Sequence, residues 1–178
     1  SDLSSNIGSV KIAEKVGKEG QISFLKNLGF FDKVESFELP EKAKPLYQSE
    51  KNWAPITVAT VSYGHGISIS PLHIISAFSA VVNGGIYHTP TLIKSDTPKI
   101  SKRVLSEHTS EQMRQLLRNV VLYGSGRRAE VAGYEVGGKT GIGREPGGSG
   151  HVGDGHVGTL AQQLAGIVQP EAADETGH

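Results

Sequence analysis

Val136-Gly137-Gly138-Lys139-Thr140-Gly141 reads as a strand that ends in a cation, a hydroxyl and a residue with no side chain. A Lys ammonium draws in an anion, and a Thr hydroxyl beside it can donate to a carboxylate. A Gly next in line lets a ligand's backbone lie against the strand without meeting a Cβ. Together they make a site for gripping the carboxylate end of a peptide. The same letters also match a phosphate-binding P-loop, with Gly133 followed after four residues by Gly138-Lys139-Thr140. A P-loop needs a buried apolar strand before it and a helix after it, whose amides and dipole hold the phosphates. Neither flank supplies this. Glu130-Val131-Ala132-Gly133-Tyr134-Glu135-Val136 is polar and broken by Gly, and Ile142-Gly143-Arg144-Glu145-Pro146-Gly147-Gly148-Ser149-Gly150 cannot start a helix. Taken alone, the Lys-Thr-Gly tripeptide would by default merely end a surface strand.

The chain has 178 residues, the length of one ordinary domain and enough to bury a core. Lys plus Arg and Asp plus Glu number 18 each, so a zero formal charge gives no general electrostatic case for nucleic acid or a membrane surface. The balance shifts after Gly141: Arg144 is the one basic residue there, against Glu145, Asp154, Glu171, Asp174 and Glu175, and Gly becomes frequent. We therefore expect a change of character at 141/142. Cysteine is absent, which excludes disulfides and Cys-based metal or redox chemistry. No apolar run approaches the roughly 18 to 20 residues of a membrane helix, and Ser1-Asp2-Leu3 is no signal peptide, so any anchor or export signal is expected upstream of residue 1.

Ser4-Ser5-Asn6 precedes an amphipathic stretch with Ile7, Val10, Ala13 and Val16 at helical spacing, closed by Gly17. As local chemistry these are helix-capping residues. A second short helix spans about Gln21 to Leu28 and ends at Gly29; within it Ser23 and Lys26 sit three residues apart on one face. Phe30 to Trp53 reads mostly as loop. Tyr63-Gly64-His65-Gly66 is a tight turn whose His65 is more often a contact or surface residue than a catalytic base. Ser70-Pro71 starts a helix with Leu72, Ile75, Phe78 and Val82 on one stripe, ended by Asn83-Gly84-Gly85. Short strands are expected over Tyr87 to Lys94 and Lys99 to Leu105. Ser110-Glu111 then caps a helix with Met113, Leu116, Leu117, Val120 and Val121 on its apolar face, followed by a turn, Gly124-Ser125-Gly126-Arg127-Arg128-Ala129, leading into the Lys-Thr-Gly strand.

In family order, Ser4-Ser5-Asn6 and Lys139-Thr140-Gly141 match the Ser-x-Asn and Lys-Thr-Gly motifs of the penicillin-binding protein transpeptidase domain. The spacing resembles the class B, cell-division type. So do Tyr63-Gly64-His65-Gly66, Ile69-Ser70-Pro71-Leu72, Gly84-Gly85-Ile86-Tyr87 and Gly124-Ser125-Gly126 with Ala129. The resemblance covers about Ser4 to Gly141. It implies an α/β fold of the α+β kind, an antiparallel sheet packed between helices as in β-lactamases and D,D-peptidases, here incomplete on its N-terminal side. It also implies a serine-type peptidoglycan D,D-transpeptidase of cell-wall synthesis and septum formation. Such an enzyme binds a stem peptide ending in D-Ala-D-Ala, and β-lactams trap it as an acyl-enzyme. Lys139 and Thr140 would hold the carboxylate, Gly141 would lie against the ligand, and the Ile142 amide would be an oxyanion donor. Asn6 would orient the substrate amide, and Ser4 would pass a proton to the leaving nitrogen. The implied location is the periplasmic face of the bacterial inner membrane, through an anchor outside this chain, with division proteins as partners. No cofactor, metal or nucleic acid is implied.

Two departures stand out. The family's nucleophile lies in a Ser-x-x-Lys motif before Ser-x-Asn. Ser23 and Lys26 reproduce those letters only after it, in the wrong order, and are expected to be helix surface. Because losing a nucleophile can cost on the order of a millionfold in rate, the 178 residues as given are expected not to turn over. The second departure follows Gly141, where the family usually has another hydroxyl residue and this chain has Ile142. Residues 1–141 are thus expected to be a partial transpeptidase domain and 142–178 an atypical Gly-rich tail, in which only Thr159 to Val168 could form one helix or strand. His151 and His156 lack an evident third metal ligand, and Gly153, Gly155 and Gly158 form a GxGxxG only by letter. Two rival functions are a non-catalytic module that recognises peptidoglycan peptides or a division partner, and a P-loop nucleotide-binding protein.

Overall fold

The computed structural model describes residues 4–32, 38, 44–94, 96 and 101–140, with the backbone of Ile167–Pro170. It divides into two compact units, one spanning Ser5–Glu111 and the other containing Ser4 and the chain from Gln112 onward.

The Ser5–Glu111 unit is built on helices. Helix α1, Asn6–Asn27, is two helices joined at Gly17, whose φ of 75° and ψ of 169° break the helical path where the sequence places a stop. The Ser5 hydroxyl accepts the Gly8 amide at 3.1 Å, satisfying one of the orphan donors at the helix start. Helix α2, Pro55–Ser62, packs on α1 around buried Ala13, Ile22, Trp53, Val58 and Val61. Gln21 ties the two helices together, its side-chain amide donating to the Val58 carbonyl at 3.0 Å while its oxygen accepts the Trp53 indole N–H at 3.1 Å.

Helix α3, Pro71–Val82, starts after Ser70 and ends before Asn83-Gly84-Gly85, as its local chemistry dictates. Gly84 and Gly85 take φ of 96° and 90°, a region other residues avoid, and a Cβ on Gly85 would lie 2.2 Å from the Leu105 carbonyl oxygen. The buried face differs from the expected apolar stripe. His73, Ser76, Ala77 and Ala80 are buried, whereas Ile75 is 51% exposed. Small side chains allow neighbours to approach closely, and His73 is satisfied where it sits. Its Nε2 donates to the Asp32 carbonyl at 2.9 Å, and its Nδ1 shares a hydrogen bond with the Ser70 hydroxyl at 2.7 Å.

The strands are short and antiparallel. Strand β1, Leu46–Tyr47, pairs with β2, Ile67–Ser68; β3, Ile86–His88, pairs with β4, Ser101–Arg103, placing Tyr87 opposite Lys102. Strand β3 begins one residue before the expected Tyr87 and ends at His88 rather than Lys94, and β4 ends at Arg103 rather than Leu105, Lys99 and Ile100 lying outside the described residues. Helix α4, Glu107–Leu122, begins earlier than expected: the Ser106 hydroxyl, not that of Ser110, accepts the first-turn amide of Thr109 at 3.0 Å. Ser110 is wholly buried and serves α3 instead, donating to the Val81 carbonyl at 2.7 Å and accepting the Gly84 amide at 3.0 Å.

In the second unit, β5, Tyr134–Gly137, pairs with β6, Ile167–Pro170, with Val136 opposite Val168. Strand β6 overlaps the end of the element placed at Thr159 to Val168. Helices with small antiparallel ladders make an α+β fold, and among the described residues no helix is long and apolar enough to cross a membrane.

Candidate active site

The end of β5 is held by the helix that precedes it. The Val120 carbonyl of α4 accepts both the Gly124 amide at 3.1 Å and the Gly126 amide at 3.0 Å, so the chain folds tightly over the helix terminus. A Cβ on Gly126 would sit 3.1 Å from that same oxygen. The chain returns through a turn at Gly133, φ 81°, and runs as β5 back to α4. There the Gly138 amide donates to the Leu117 carbonyl at 3.1 Å, and a Cβ on Gly137 would lie 3.3 Å from the Arg118 nitrogen. The two glycines of Gly137-Gly138 thus bring strand and helix together before the polar residues emerge.

Two polar pairs form at this strand end. Lys139 Nζ donates to Ser4 Oγ at 2.7 Å and to the Thr140 carbonyl at 2.8 Å. Lys139 as a residue is exposed, but desolvation at its ammonium lowers the pKa below the ordinary lysine value. Thr140 Oγ1 shares a hydrogen bond with Ser125 Oγ at 2.8 Å. Ser4 is the one described non-glycine residue with positive φ, 55°, a backbone state that costs a side-chain-bearing residue roughly 1 to 3 kcal/mol. The serines of Ser4-Ser5-Asn6 therefore divide the two roles weighed for them: Ser5 caps the helix and Ser4 meets the lysine.

Asn6, the first residue of α1, lines an open groove of about 460 Å³ within the Ser5–Glu111 unit, with Ile7, Val10, Lys11, Glu14 and Tyr63. Gly141 and Ile142 lie outside the described residues, as do His151, His156 and the glycines of 153–158. Among the described residues no group of His, Cys, Asp and Glu could hold a metal ion. Ser23 is exposed on α1 and Lys26 pairs with Glu50 at 3.5 Å, as expected of helix surface. His65 is an exposed turn residue between Gly64 and Gly66, both at positive φ.

Ser125 and Arg118 are contacts that sequence reading did not assign. Ser125 was legible as the centre of a Gly-Ser-Gly turn, but its partner 15 residues away was not. Arg118 stands beside the apolar residues of α4. Both terminal nitrogens of its guanidinium bond Glu130, at 2.5 and 2.8 Å, and one also donates to the Val136 carbonyl at 2.9 Å.

The family model described as the penicillin binding protein transpeptidase domain matches residues 2–161. The chain is 43% identical over 148 residues to a probable peptidoglycan D,D-transpeptidase, FtsI, of Caulobacter vibrioides, covering 80% of this chain and 24% of that protein. The transpeptidase domain of penicillin-binding protein 3 from Burkholderia pseudomallei superposes with a TM-score of 0.74 at 33% identity, covering 83% of this chain and 45% of that one. Penicillin-binding protein 3 of Mycobacterium tuberculosis, in a complex with ampicillin, gives 0.72 at 28% identity, over 78% and 34% of the two chains. The chain spans about a quarter of the length of the curated relatives it matches.

Proposed function

We propose that this chain, which belongs to the penicillin-binding protein transpeptidase family, supplies the carboxylate-binding and proton-relay half of a peptidoglycan D,D-transpeptidase site acting in septum formation. The observation that carries this reading is the 2.7 Å contact between Lys139 and Ser4, residues 135 positions apart in sequence. The relay has a direction. A lysine with a lowered pKa is a stronger acid when protonated, so Lys139 can pass a proton to Ser4 Oγ as the Ser4 hydroxyl delivers its own to the leaving nitrogen. The leaving amine gains one proton and Lys139 loses one.

Lys139 and Thr140 bind the terminal carboxylate of a stem peptide ending in D-Ala-D-Ala, or the carboxylate of a β-lactam, by charge and hydrogen bonding. Ser125, bonded to the Thr140 hydroxyl, sets the direction in which that hydroxyl points. In this scheme Gly141 leaves space for the ligand backbone, the Ile142 amide is one oxyanion donor and Asn6 orients the substrate amide. The nucleophilic serine belongs to a Ser-x-x-Lys segment outside these 178 residues, so the chain alone performs no turnover. The parent protein works at the periplasmic face of the inner membrane alongside division proteins, and the residues after Gly141 form an atypical tail.

Intact-protein mass spectrometry after exposure to a penicillin tests this reading on both the 178-residue chain and the full gene product. We expect an acyl adduct on the full product only, on a serine outside this chain. No adduct on either would replace the enzyme with a non-catalytic peptide-binding module, and an adduct on Ser23 would overturn the assignment of the nucleophile.

A further inference from the structure

Gly137 and Gly138 carry no side chains by which the end of β5 could be gripped, yet Lys139 and Thr140 follow directly. Main-chain pairing with β6 holds one edge of the strand, and Leu117 accepts a single amide. Arg118 adds a further hold. Its guanidinium is a planar fork whose donors leave in fixed directions. Glu130 occupies two of them, one on each terminal nitrogen, and the orientation this imposes aims a further N–H at the Val136 carbonyl, three residues before Lys139. The Glu130 carboxyl pKa is lowered, chiefly by its hydrogen bond to Arg118, as expected of a carboxylate that stays ionised in the pair. An exposed ion pair by itself contributes little to stability. This one differs in that the arginine is largely covered, its side chain 23% exposed, and ends on the backbone of the Lys-Thr-Gly strand.

We propose that Arg118 is a positioning residue for carboxylate recognition: oriented by Glu130, it fixes the height of β5 on α4 and so the places where Lys139 and Thr140 present their ammonium and hydroxyl. The inference rests on the transpeptidase reading given above. It differs from a plain structural role in what it forbids. A loosened fold slows every substrate alike, whereas a displaced Lys-Thr pair slows a carboxylate donor more than a matched donor that lacks the carboxylate.

The test uses the full gene product and two thioester acyl donors identical except at the terminus, one a free carboxylate and the other a carboxamide. The wild type is expected to be acylated faster by the carboxylate donor. In Arg118→Ala that preference is expected to shrink by about tenfold or more, since displacement by about 1 Å can cost on the order of a hundredfold. Glu130→Gln, which keeps the arginine and its packing, should shrink it less, and Arg118→Lys should not restore it, because an ammonium lacks the fork. Equal slowing with both donors, or an unchanged preference in Arg118→Ala and Glu130→Gln, would overturn the positioning role and leave the transpeptidase reading intact. A wild type acylated by neither donor would remove both.

Discussion

Polar side chains in the Ser5–Glu111 unit sink into the interior and are satisfied there, whereas around β5 they meet at the surface. Trp53, His73 and Ser110 are 3%, 1% and 0% exposed, and each has its partner: the Gln21 oxygen for the indole, Ser70 and the Asp32 carbonyl for the imidazole, Val81 and Gly84 for the hydroxyl. Ser4, Ser125 and Lys139 are exposed. A buried polar atom left without a partner costs roughly 1 to 3 kcal/mol, so the first group has a reason to exist in the stability of the fold. Water could satisfy the second group equally well. Two exposed pairs, Lys139 with Ser4 on its strained backbone and Ser125 with Thr140, have little stability to gain from the arrangement. In the proposed function their rationale is chemical.

Three substitutions in the full gene product can break or sharpen that contrast, each followed by denaturant unfolding. Trp53→Ala should have the largest effect, a loss of about 3 to 5 kcal/mol, since it empties a core position of α1 and α2 and strips Gln21 of its indole donor. Ser110→Ala should cost about 1 to 3 kcal/mol by leaving the half-buried Gly84 amide and the Val81 carbonyl without their partner. Ser4→Ala should change stability by no more than about 0.5 kcal/mol while abolishing the proposed relay. Loss of more than about 2 kcal/mol in Ser4→Ala would place that serine with the structural group and erase the distinction between the regions.

Much of the fold was legible where the deciding chemistry is local. Ser70-Pro71 and Asn83-Gly84-Gly85 delimit α3 because a fixed proline φ suits a helix start and positive-φ glycines end one. Gly17 likewise divides α1 at the expected residue. What stayed hidden depends on partners distant in sequence. Ser110 looks like a cap for its own helix, and it is a cap, but for the end of α3. The buried face of α3 follows the space its neighbours leave, so Ser76 and His73 are inside while Ile75 is not. At the site, the family resemblance gave Ser4 and Lys139 separate roles in one centre, and their direct contact was not read, because nothing local joins positions 4 and 139. Ser125 entered the resemblance only as part of a Gly-Ser-Gly turn, with no partner, and Arg118 was not assigned at all.

The break at Gly17 has a mechanical meaning. An unbroken helix of 22 residues would be a rod about 33 Å long, and a push at Asn6 would be felt at Asn27. No atom lies within 4 Å of where a Gly17 Cβ would stand, so the residue is needed for its backbone freedom alone. The joint converts one rod into two shorter levers. The second is bolted into the core through Ile22 and Leu25, and the first, which carries Asn6 at its tip, is seated on the same core through Ala13.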